Sequence, residues 1–167
     1  MLETIEFTVY CTPEPQGSNR AWVVPGKDGG KPRAVVTSAN KKLKPYRQEL
    51  TRAAMAEMAR LRLDTFDPPA GKHVPVKLEL TFYVERPKSV SKKNRLFPSV
   101  APDLDKYTRS TCDSMKGVLW VDDGQVVDCH SRKLYGTPER VEVRMRVAAQ
   151  DGPGLPCETL FEEAAKQ

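Results

Sequence analysis

The sequence predicts an α/β (α+β) fold in which a small mixed β-sheet is packed with two main helices. Three observations lead there. Runs with an apolar residue at every second position occur near the N-terminus, at 76–84 and at 140–147. Two longer runs, near 43–61 and 104–118, carry apolar residues at three- and four-residue spacing. The stretches between are rich in proline, glycine and polar turn residues. A period of two marks a strand with one buried face, and a period of 3.6 marks an amphipathic helix.

Glu3 to Tyr10 alternates, with Ile5, Phe7 and Val9 on one face, and is the first expected strand. Thr12 to Arg20 is turn chemistry, with two prolines, a glycine, a serine and an asparagine. Ala21–Val24 and Ala34–Thr37 are short β-prone runs flanking GKDGGK, which reads as a hairpin tip. From Lys41 or Pro45 to Arg62 the spacing turns helical, with Leu43, Tyr46, Leu50, Ala53, Ala54 and Met58 in one stripe. Its alanines favour a helix, and Pro45 fits a first turn. Asp64 to Pro75 is a loop and Val76 to Val84 a strand. Leu104 to Gly117 is the second helix, with Leu104, Tyr107, Thr111, Met115 and Val118 in its stripe and Gly117 at its stop. Gln125–Tyr135 and Arg140–Val147 are strands joined through Gly136-Thr-Pro. Residues 1–149 are expected to form a single domain, and 150–167 a loosely attached acidic tail.

The composition narrows the class. With 39% hydrophobic and 29% charged residues in 167, the chain matches ordinary soluble domains. It has no apolar run long enough for a transmembrane helix. Met1 to Tyr10 carries two acids and no base, which is wrong for a signal peptide, so the cytoplasm is the expected compartment. The four cysteines, Cys11, Cys112, Cys129 and Cys157, form no C-x-x-C pair and are expected to be free thiols. Asp128, Cys129 and His130 are adjacent but lack zinc-ligand spacing, and neighbouring strand residues face opposite ways. The net charge of +5 equals that of one segment, Arg86 to Pro102, which holds Arg86, Lys88, Lys92, Lys93 and Arg95 and no acid. Such a loop is either a solvated surface or a footprint for a polyanion such as nucleic acid.

Four aspartates are the chemically informative residues: Asp103, Asp105, Asp122 and Asp123. Magnesium takes oxygen ligands, commonly one or two carboxylates completed by water and phosphate. Asp103 and Asp105 converge only if a helix starts near Asp105, because i and i+2 diverge inside one. Pro102 makes that start plausible, and a helix N-terminus there favours a bound phosphate. Asp105, Arg109 and Asp113 then share a helix face, with Arg109 one turn on and suited to a phosphate oxygen. Without a metal, Asp103 or Asp105 would read as helix caps and Asp122-Asp123-Gly124 as a turn.

Pro102-Asp-Leu-Asp-Lys-Tyr-Thr-Arg, followed by Asp113, Gly117-Val-Leu and Asp122-Asp-Gly-Gln-Val-Val-Asp, closely resembles the RusA family of Holliday junction resolvases, often encoded by phages and prophages. That family's pattern is P-D-x-D-N-x-x-K, then D-D-x-Q-V-V and a later strand lysine. The resemblance is strong from Pro102 to Lys133 and looser from Phe7 to Val84. It implies a RusA-like α/β homodimer that nicks four-way DNA junctions symmetrically in recombination and repair. The implied cofactor is Mg2+, with Mn2+ as a substitute, and neither a small-molecule cofactor nor a membrane is involved. The metal-site aspartates fall on Asp103, Asp105 and Asp123, the motif lysine on Arg109 and the strand lysine on Lys133. Lys106 stands where the family usually has asparagine, and an arginine at 109 is a planar fork rather than a point charge. DNA phosphates would be tracked by Asn19, Arg20, Arg86, Lys88, Lys92, Lys93, Arg95 and Lys106. The rival readings are a nuclease for flap or other branched DNA, a branched-DNA-binding protein without turnover, and a generic α/β domain with a basic loop.

Overall fold

In the computed structural model, residues 4–17, 19–25, 30–38, 40–93 and 95–148 are described, without the side chains of 19, 20 and 36–38. Among the described residues six strands and two α-helices run in the order β1 (Ile5–Val9), β2 (Asn19–Val24), β3 (Arg33–Ser38), α1 (Leu43–Arg60), β4 (Val76–Val84), α2 (Leu104–Met115), β5 (Val126–Tyr135) and β6 (Arg140–Val147). The expected elements are therefore present within a few residues at each end. Residues 26–29 of the expected hairpin tip, and the tail, lie outside the described residues. Among the described residues no helix is long and apolar enough to cross a membrane.

The main sheet has the order β1-β6-β4-β5, and β2-β3 form a separate antiparallel pair. The sheet is mixed because β4 pairs with β6 antiparallel and with β5 parallel. A parallel pair needs a long crossover, and α2 supplies it. The strands β5 and β6 are consecutive yet not neighbours, since β4 lies between them. Their connection crosses the end of β4, where Gly136 N–H donates to Val84 O at 3.0 Å. A Cβ at Gly136 would come within 2.5 Å of Tyr83 Cδ1, so the crossing requires glycine.

One face of the sheet is apolar. Ile5 and Val9, Val76, Leu78, Leu80 and Phe82, and Val141, Val143 and Met145 are buried there. Leu43, Tyr46, Leu50, Ala54 and Met58 of α1 cover it, together with Tyr107 and Met115 of α2. Ser110 and Ser114 are also buried on α2. The Ser114 hydroxyl turns back to Thr111 O (2.6 Å), and that of Ser110 lies against Tyr107 O (2.9 Å) and Glu14 O (2.7 Å), which ties the segment after β1 to α2. Between the helices, Tyr46 Oη and Thr111 Oγ1 are 2.7 Å apart. The other face is a lattice of opposite charges: Arg144 meets Glu6 at 3.1 Å and Glu79 at 3.8 Å, and Arg146 also pairs with Glu79.

Candidate active site

Asp103 is the N-cap residue of α2, in extended conformation (φ −68°, ψ 145°). It makes no side-chain capping bond; its carboxylate instead meets Lys106 Nζ at 2.7 Å. The capping alternative therefore does not describe Asp103. The hydrogen bond from Lys106, then its charge, holds the Asp103 carboxyl below the usual aspartate range. Asp105 lies in the first helical turn, and Asp105 and Arg109 are both exposed. Asp113, on the same helix, pairs with Arg47 of α1 at 2.5 Å.

Lys133 fixes the approach to this entrance. Its ammonium donates to the carbonyls of Val100 and Pro102, each at 2.7 Å. It thereby ties the segment before Asp103 to strand β5. Arg86 is similarly engaged within the basic loop, donating to the carbonyls of Arg95 and Leu96 and lying over the Tyr135 ring at 3.9 Å. Lys88, Lys92 and Lys93 are exposed, and Arg95 is half-buried. Asn19 and Arg20 begin β2, and their side chains lie outside the described residues.

The acidic turn is built differently. Asp122 is the N-cap of a short 3-10 turn at Asp123–Gln125, and its side chain accepts from Gly124 N. That bond, with Lys116 at 3.3 Å, lowers the Asp122 carboxyl. Gln125 completes a capping box and is itself buried. Its amide donates to Gly71 O (2.7 Å) and Val74 O (3.0 Å), and its oxygen accepts from Val121 N (2.9 Å) and Asp122 N (2.8 Å). Asp123 Oδ1 accepts from the indole N–H of the fully buried Trp120 at 3.0 Å, and Lys116 stands 3.9 Å from its other oxygen. Trp120, Gln125 and Lys116 are site-supporting residues that sequence reasoning missed. Gln125 was visible as the glutamine of the D-D-x-Q-V-V pattern, whereas Trp120 and Lys116 had no signal beyond their nearness to the Asp122-Asp123 pair.

The structure does not bring the three expected metal aspartates together within one chain. Asp103 stands at the start of α2, whereas Asp123 is reached through Lys116 just past its end. Twelve residues of helix rise about 18 Å. The sheet gives the same separation, since Asp123 precedes Val126, opposite Val76, while Lys133, which grips Pro102, lies opposite Phe82. Among the described residues no group of three His, Cys, Asp or Glu side chains could hold a metal. Asp128 and His130 do form a pair, at 3.3 Å. The donors at both ends of α2 are nevertheless carboxylates open to solvent, the chemistry a hard ion such as magnesium takes. They fit such an ion if the two ends are supplied by different copies of the chain.

A family model described as Endodeoxyribonuclease RusA matches residues 13–146. A Bacillus subtilis (strain 168) relative, "Uncharacterized protein YqaN", is 31% identical over 154 residues, covering 87% of this chain and 97% of the relative.

Proposed function

The chain belongs to the RusA endodeoxyribonuclease family, and from that premise we propose that it resolves four-way DNA junctions by symmetric paired nicks, as a magnesium-dependent homodimer. The observation that carries this form of the reading is the length of α2. In one copy it holds Asp103 and Asp105 apart from Asp123. A two-fold pair with antiparallel α2 helices would set Asp103 and Asp105 of one copy against Asp123 of the other, twice. Such a dimer is isologous and offers two equal sites to a substrate of near two-fold symmetry.

Each site would hold magnesium between those carboxylates, with Mn2+ as a substitute. When bound, the ion lowers the pKa of a water and offsets the negative charge developing on phosphorus. The chain's own groups do the rest. Trp120 aims Asp123, Lys133 holds the Asp103 approach, and Arg109 presents its guanidinium one turn along α2 to a phosphate oxygen. Lys88, Lys92 and Lys93 contribute phosphate contacts, which give affinity and salt dependence rather than sequence choice.

The decisive test mixes two variants. Asp105→Asn and Asp123→Asn proteins should each bind a fixed four-way junction without cutting it. Mixed and allowed to exchange, they form heterodimers in which one site is entirely wild type, so about a quarter of wild-type nicking returns. A verified heterodimer that stays inactive would show that the aspartates act within one chain. Three-way and flap substrates at equal salt test the junction: equal cutting of all three would refute four-way selectivity.

A further inference from the structure

A groove of about 950 Å³ runs between the outer face of α1 and the C-terminal end of α2. Its cations are Lys41, Lys44, Arg47, Arg52 and Lys116, against one carboxylate, Asp113. Arg47 is already mated to Asp113, and Lys116 faces Asp122 and Asp123 at the groove's end. Lys41, Lys44 and Arg52 are exposed and meet no acid in the lining. Lys44 and Arg52 are eight residues apart on one helix, with Gln48 midway, so three donors follow each other about every 6 Å. That spacing is on the scale of successive phosphates along a strand.

On the open face of the sheet positive charges are matched by negative ones. There Arg144 and Arg146 stand against Glu6 and Glu79. The groove gathers like charges instead, which costs repulsion unless an anion lies among them. Its position is also specific, because Lys116 lines the groove while touching the acidic turn.

We propose that this groove is a second DNA-backbone track, which carries the strand leaving the Asp123 end of the active site along α1. The inference rests on the nuclease reading above and extends the DNA surface beyond the basic loop to the opposite end of α2. The contacts are to phosphates, so the track is indifferent to sequence.

The test is a salt titration of junction binding by fluorescence anisotropy, using the full chain with Lys44→Gln and Arg52→Gln together. Both positions are exposed, so folding is preserved, as circular dichroism will verify. Losing two phosphate contacts should flatten the log K against log salt slope by about 1.8 and weaken binding at 0.1 M salt at least roughly tenfold. The charge-keeping pair Lys44→Arg and Arg52→Lys should restore the wild-type slope. An unchanged slope in the glutamine variant, beside normal cutting by the wild type, overturns the groove alone. Failure of the wild type to cut any DNA would instead strike the activity reading. A glutamine variant that changes oligomeric state by light scattering would identify the face as an interface between copies and overturn the track.

Discussion

The two halves of the candidate site are held by different physics. The Asp122–Gln125 turn is anchored from below, by an indole with no exposure and by an amide that spends its bonds on the backbone of two loops. The Asp103–Asp105 entrance is held from the side, by two lysines at the surface. Buried hydrogen bonds are costly to break because the partner left behind cannot reach water. Surface charge pairs are cheap to break and respond to salt. The turn is therefore set by folding itself, whereas the entrance is adjustable and can respond to an arriving phosphate or ion.

This contrast predicts a graded series. Gln125→Ala should have the largest effect on stability, about 3 kcal/mol by denaturant unfolding, because it strands several backbone groups at once. Junction cleavage should fall with it as the turn carrying Asp123 relaxes. Lys133→Met should cost less than about 1 kcal/mol, yet lower kcat clearly, since only the approach to Asp103 loosens. A stability loss equal to that of Gln125→Ala would erase the distinction. Lys106→Asn should act more locally still. The Asp103 carboxyl should return upward toward the ordinary aspartate range, as followed by carboxyl-carbon NMR. In the wild type the Asp103 pairing favours the folded form at pH above the ordinary aspartate value and fades as pH falls through the lowered one. An unmoved Asp103 titration would mean that Lys106 is not its counter-ion.

The same contrast explains what the sequence disclosed. Alternation revealed β1, β4 and β6, and the three-four spacing revealed both helices, because these patterns are local. Asp103 at a helix entrance was equally legible, since Pro102 and the following stripe place the start of α2. The order of β5, β4 and β6 was not, because the strands are joined by a short turn that passes over a third. Nor was the part played by Gln125, whose partners Gly71 and Val74 are more than fifty residues away. Lys133 and Arg86 were legible as positive charges but not as donors to particular carbonyls. The family motif united three aspartates along the chain, and only the direction of α2 shows that one copy holds them at two ends.

That direction gives α2 a further property, as a ruler. In a dimer that joins opposite ends of two antiparallel copies, the two nicking centres lie one α2 length apart, about 18 Å. The distance between the paired cuts is then fixed by the number of residues in a single helix, and an added turn would move them apart by about 5 Å.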